Sequence, residues 1–249
     1  MILEHVDKAN LPTLCRVSKI FCSCSQDVLY REIEYKDAPV IQTLAQSADL
    51  ARRVRSFTTP SDGWELGTAL RNMSFLRSLN IENINDISIL DGCTFKLDSI
   101  ECDYPDSKSL QRFLSSQPSI TKAFLFADVE PSSPFDERCL PNLTRVMAVH
   151  SWLNILIPGR PVTHVAMLET LPEETIDMTL FTLSTAPIYS LNISYANIYP
   201  TPESRLASIF PSIADLELVV SDLNQSVRRQ LTVMGVLMKK STIIERVGL

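Results

Sequence analysis

Phe210-Pro211-Ser212-Ile213-Ala214-Asp215-Leu216-Glu217-Leu218 contains an apolar residue, two others, an apolar residue, one other and a third apolar residue. The same Φ-x-x-Φ-x-Φ cassette stands at Leu76/Leu79/Ile81, Leu97/Ile100/Cys102, Ile120/Ala123/Leu125, Leu143/Val146/Ala148, Val162/Val165/Met167 and Ile188/Leu191/Ile193. A weaker copy precedes them at Val54/Phe57/Thr59, and the first positions are separated by 22, 21, 23, 23, 19, 26 and 25 residues. Five copies have a proline one or two residues upstream: Pro118, Pro141, Pro161, Pro187 and Pro211. One match to so loose a pattern carries little weight, but eight at a near-constant step indicate a repeat architecture.

Strands of this length, alternating with helical segments too short to stand alone, imply parallel strands joined by crossovers. The expected fold is an α/β solenoid with strands on one side and helices on the other. Residues 36–249 form it, and residues 1–35 form a small helical segment ahead of it. In that segment Ile2, Leu3 and Val6 make one stripe, and Leu14, Val17, Phe21, Cys24 and Val28 make a second at helical spacing. Asn10 is placed to cap the second helix, with Pro12 in its first turn. Ser23 and Ser25 suggest a break, and Ile33 and Tyr35 read as extended. Asp37 and Pro39 start a helix that buries Ile41, Leu44, Ala45 and Ala48. Further helical turns are expected around Leu110/Phe113/Leu114, around Leu180/Phe181/Leu183, after Thr201-Pro202-Glu203, and over 225–240. Ile244/Val247/Leu249 reads as a ninth cassette.

The composition, 45% hydrophobic and 21% charged, supports a sizeable core rather than disorder. A net charge of −6 without a dense basic run argues against nucleic acid as a partner. The N-terminus lacks a signal-peptide core, and the longest apolar run, Leu231 to Met238, is too short to span a bilayer, so an intracellular protein, cytoplasmic or nuclear, is expected. The six cysteines include no C-x-x-C pair and no histidine at zinc spacing, so no metal is expected and the thiols read as reduced. The sequons at Asn72, Asn142, Asn192 and Asn224 then read as coincidence. With 6 glycines, no G-x-G-x-x-G, no G-K-[ST] and no G-x-S-x-G, nothing cradles a phosphate or presents a nucleophile, and no cofactor is implied. His5, His150 and His164 are isolated, and Glu173-Glu174 and the acids from 98 to 106 read as solvated turns and strand edges. A Ser-His-Asp or Cys-His set assembled in space is the remaining catalytic alternative.

Strand geometry also marks a candidate binding surface. The fourth and sixth cassette positions point inward, so the third, fifth and seventh point outward. In the first two strong repeats these are Ser78, Asn80, Glu82 and Ser99, Glu101, Asp103. The last two give Ser190, Asn192, Ser194 and Asp215, Glu217, Val219. The middle three repeats differ: Lys122, Phe124 and Phe126; Arg145, Met147 and Val149; His164, Ala166 and Leu168. An apolar patch of Phe124, Phe126, Met147, Val149 and Leu168, edged by Lys122, Arg145 and His164, has the composition of a protein-binding surface. A one-residue slip, or a loop lying over the patch, would make these side chains core.

The cassette resembles the first six positions of the leucine-rich repeat, L-x-x-L-x-L-x-x-N-x-L. The asparagine position holds Ile84, Pro105, Asp128, Ser151, Thr170, Ala196 and Ser221, so irregular repeats are expected. Leu14-Cys15-Arg16-Val17-Ser18-Lys19-Ile20-Phe21 followed by Leu29-Tyr30-Arg31-Glu32-Ile33 resembles the second half of an F-box, as in fungal F-box proteins with degenerate leucine-rich repeats. Together the two resemblances span nearly the whole chain. They imply a non-catalytic substrate receptor of an SCF-type ubiquitin ligase. Its N-terminal helices would dock on the S-phase-kinase-associated adaptor, which joins the cullin scaffold, and its repeats would hold a target protein. The adaptor-facing positions would be Leu3, Leu11, Pro12, Leu14, Val17 and Leu29, although Leu14 and Val17 could equally serve to close the helices on each other. The family's L-P-x-E opening has no counterpart before these helices in the 249 residues, so docking by this sequence is expected to be weak. The alternative is a repeat scaffold without a ubiquitin role, in which the N-terminal helices only cap the first repeat.

Overall fold

In the computed structural model the strands begin where the cassettes place them. The structure describes residues 5–34, 38–60, 64–82, 86–103, 107–126, 136, 138–168, 177–194, 209, 212–220 and 241–245. The chain divides into two compact units, Met1–Phe113 and Leu114–Leu249.

The first unit opens with α1 (Leu11–Leu14) and α2 (Lys19–Leu29), followed by β1 (Glu32–Glu34). Then come α3 (Ala38–Gln46), α4 (Ala48–Ala51), β2 (Ser56–Thr59), α5 (Trp64–Asn72), β3 (Ser78–Ile81) and β4 (Ser99–Cys102). β1 through β4 pair in chain order, all parallel. The second unit holds β5 (Lys122–Leu125), β6 (Arg145–Ala148), α7 (His150–Leu156), β7 (His164–Met167), β8 (Ser190–Ser194), β9 (Asp215–Val220) and β10 (Ser241–Glu245). Its strands also pair in chain order and in parallel. Helix α6 (Ser107–Ser115) contains the residue at which the units divide. The α/β class and the parallel strands expected from the repeats are thus observed.

From β2 to β9 each strand starts two residues after the first apolar position of its cassette. Parallel pairing then superposes equivalent positions, as in Leu79↔Ile100 and Val146↔Val165. All described cassette side chains are buried except Ile213, which is half-buried. Alternation explains this: the fourth and sixth positions fall on the same side as the helices, and the first closes the core beneath them. A shared backbone device sets the register. The second-position carbonyl of one repeat accepts the N–H groups of the second and third positions of the next. Arg31 O accepts Arg55 N and Ser56 N at 2.8 and 3.0 Å, and Thr121 O accepts Thr144 N and Arg145 N at 2.9 and 3.0 Å. Thr163 O does the same for Tyr189 N and Ser190 N at 2.8 and 3.2 Å. Both N–H groups at the start of a strand are therefore satisfied before the ladder begins.

Several local expectations need correction. The apolar stripe from Leu14 to Val28 is not one helix. The chain turns at Cys15–Ser18, and α2 starts afresh with Ser18 Oγ accepting Phe21 N at 3.2 Å. Ser23 and Ser25 lie inside α2 and break nothing. Asn10 stands before α1 but makes no side-chain cap, and α1 is a single turn. Ile41 and Leu44 are buried as expected, whereas Ala48 is exposed, because Ser47 ends α3 and a new turn follows. Leu180 and Phe181 are buried in a 3-10 helix (Met178–Leu183), but Leu183 is exposed. β10 pairs Ser241 with Leu216 and Ile243 with Leu218. Register thus puts Ser241 and Ile243 at the fourth and sixth cassette positions, six residues ahead of the expected Ile244/Val247/Leu249 phase. The stripe at Ile2/Leu3, Tyr35, Asp37, the helix start at 201–203 and the helix over 225–240 lie outside the described residues.

Candidate functional site

Three neighbouring strands of the second unit carry the residues singled out by the pattern. Register aligns Lys122 with Arg145 and Arg145 with His164, then Ser190 and Asp215. A second row runs parallel to it through Phe124, Met147, Ala166, Asn192 and Glu217. Lys122 and Arg145 are exposed; Phe124, Met147, His164 and Ala166 are half-buried, between strand neighbours that are buried. Phe126, 37% exposed, and half-buried Leu168 follow the ends of β5 and β7. The face is therefore at least partly accessible, and its register is the one that the alternation requires.

Val149 is the exception. It is only 7% exposed, because the chain turns directly from β6 into α7 and the pleat no longer governs its side chain. Its carbonyl accepts Trp152 N and Leu153 N, each at 3.1 Å, so it serves as the helix start and not as part of the outer face. The apolar patch is therefore Phe124, Phe126, Met147 and Leu168.

The charges beside it are uneven. No ion pair involves Lys122 or Arg145 among the described residues, and the two stand opposite each other on adjacent strands. Like charges so placed destabilise a sheet. His164 is linked to Thr163 Oγ1 through Nδ1 at 2.8 Å. Partial burial, then the Arg145 charge, hold His164 below its ordinary 6.5, and Asp215 opposes the shift. Further along the face Asn192 Nδ2 donates to Glu217 Oε2 at 2.5 Å. The side chain of a sequon asparagine is thus engaged in a cross-strand hydrogen bond. Asn72 and Asn142 are engaged too, donating to Ala45 O and Pro118 O, each at 3.0 Å.

The His164 shift has a definite sign. Its folded value lies below its unfolded value, so its contribution to stability is complete above about pH 6.5 and is lost as pH falls through the folded value. Because His164 is largely solvated, the effect is small. The expected outcome is a slightly shallower fall in unfolding midpoint between neutral pH and pH 5 for His164→Gln than for the native chain. A steeper fall in the variant would reverse the assignment.

In the first unit the outward positions are polar. Ser78, Asn80, Ser99 and Glu101 are half-buried, and Glu82 and Asp103 are exposed. Partial burial, and then Glu82, raise Glu101 from its ordinary value.

The N-terminal helices distribute the proposed docking residues unevenly. Leu11 is fully buried, Leu14 and Leu29 are half-buried, and Pro12 is exposed; Leu3 lies outside the described residues. Val17 is 64% exposed, and beside it stand Ile20 at 77% and Phe21 at 43%. Val17 is one of the expected docking positions; Ile20 and Phe21 are not, because the stripe reading continues one helix through the turn before Ser18. Asp27 pairs with Arg53, whose Nη1 also donates to Ser23 O at 3.0 Å, so α2 is pinned to the turn before β2.

Burial pushes the Cys93 and Cys102 thiols up to about 12. At neutral pH both are protonated, and such thiols are poor nucleophiles. Among the described residues no three His, Cys, Asp or Glu side chains gather as a metal site, and no helix is long and apolar enough to cross a membrane. No family model matches the chain, and a search of curated proteins finds no match either.

Proposed function

We propose that the chain is a non-catalytic protein-interaction subunit, a substrate receptor of an SCF-type ubiquitin ligase that works in the cytoplasm or nucleus. The observation that carries the interaction role is the accessible face of β5–β7. Phe126, exposed, and the partly accessible Phe124, Met147 and Leu168, flanked by Lys122 and Arg145, which are unpaired among the described residues, have the composition enriched in protein interfaces. Repeat sheets present function on such extended surfaces rather than in a pocket. The ligase role rests on the resemblance of residues 14–33 to an F-box, supported by the exposure of Val17, Ile20 and Phe21. Three adjacent apolar side chains turned to solvent suit a helical partner. A second reading, the repeat scaffold, is favoured by the Arg53 contacts, which pin α2 to the first unit as a cap would be.

Purified adaptor separates the two. The 249-residue chain should bind it weakly, and an appended L-P-x-E segment should strengthen binding at least tenfold. Val17→Asp with Ile20→Asp should remove that gain without loss of fold, since both side chains are already in water. No measurable adaptor binding by the extended chain would leave the scaffold.

A further inference from the structure

We infer that the occupant of the β5–β7 face is an amphipathic helix of a partner protein, with an acidic stripe beside an apolar one. The inference rests on the proposed interaction role and adds the chemistry of the partner. Lys122, Arg145 and His164 form one row and Phe124, Met147 and Ala166 the next, in strict register. Strands lie about 4.8 Å apart, so the three span roughly 10 Å, and two residues along a strand separate the rows by about 6.7 Å. An extended peptide turns alternate side chains to one surface in a single line and cannot serve both rows at once. A helix can, because residues i and i+1 begin neighbouring stripes, and two turns cover about 11 Å.

Charge complementarity gives the sign. Lys122 and Arg145 are unpaired among the described residues and face each other across the ladder, so an acid from outside relieves their repulsion. The stripe must also be short. Two strands beyond His164 the same rows hold Asp215 and Glu217, which repel an acid. Those carboxylates, with a net charge of −6, also disfavour a nucleic-acid backbone.

The test uses the full chain and a synthetic helix-forming peptide with Glu at i, i+4 and i+7 and Leu at i+1, i+5 and i+8, read by fluorescence anisotropy. Binding should weaken at least tenfold with Lys122→Glu plus Arg145→Glu and return when the peptide's Glu residues are changed to Lys. Arg145→Gln should weaken binding while leaving the melting temperature of the free chain unchanged or higher, which a merely structural arginine would not do. Equal binding of a scrambled or proline-interrupted peptide, or indifference to the charge swap, would overturn the inference. If a partner cross-links through Phe124 while no acidic helix binds, the interaction role stands and the helix falls; if neither is seen, both fall.

Discussion

Replacing Arg160 with Met is expected to lower the unfolding free energy by about 4 kcal/mol, with unchanged dependence on denaturant. Arg160 is 1% exposed, yet it carries a guanidinium. Its Nε donates to Cys139 O at 2.8 Å, Nη1 to Ile155 O and Pro158 O at 2.7 and 2.9 Å, and Nη2 to Asp136 O at 3.0 Å. These carbonyls belong to the C-terminal end of α7 and to the loop before β6. That loop includes Leu140, fully buried with a φ of 55°, a left-handed backbone that a leucine adopts only at a cost of about 1–2 kcal/mol. One planar fork thus holds two segments on the helical side of β6 and β7. Removing it strands several acceptors, each costing about 1–3 kcal/mol, partly relieved by entering water. Lysine has no planar fork, so Arg160→Lys should lose most of the same stability. A loss under 1 kcal/mol for Arg160→Met in urea unfolding would show that the clasp is dispensable.

Phe124→Ala with Met147→Ala is expected to weaken binding of the proposed target by about 2 kcal/mol or more, roughly thirtyfold in Kd, while the melting temperature hardly moves. Both side chains are half-buried on the accessible face, so truncation leaves no sealed cavity in the core. Their chain neighbours Ala123 and Val146, at inward positions, remain in place and keep the fold. A large fall in melting temperature with unchanged affinity would mean that these side chains serve packing and that the target sits elsewhere.

The strands were legible because each cassette is self-phasing: three apolar positions at spacings of three and two admit one strand register. Where that uniqueness fails, the reading slips. Ile243 and Ile244 are adjacent and equally apolar, and only pairing with β9 chooses between them. Helices were harder. α5 contains Gly67 and Thr68, and α7 opens with His150-Ser151; neither has a strong propensity signal, and their burial comes from tertiary packing, of α5 on α3 and α4 and of α7 on β6. The N-terminal stripe misled because Ser18 caps a new helix in mid-pattern, which turns Val17, Ile20 and Phe21 to solvent. On the candidate face, alternation located Phe124 and Met147 correctly, and it failed at Val149 because the pleat ends with the strand. Arg160 was invisible to pattern, since nothing around Pro158-Gly159-Arg160-Pro161 marks a charged residue as interior.

The central claim is that a protein target is held on the outer face of β5–β7. Photo-cross-linking tests it most directly, with a photoreactive phenylalanine analogue placed in turn at Phe124, Phe126 and, as a control exposed in the other unit, Phe75. One discrete partner adduct is expected from positions 124 and 126, diminished by Met147→Ala and Arg145→Gln, and none from 75. An adduct from 75 alone, with none from the β5–β7 face, would contradict the claim.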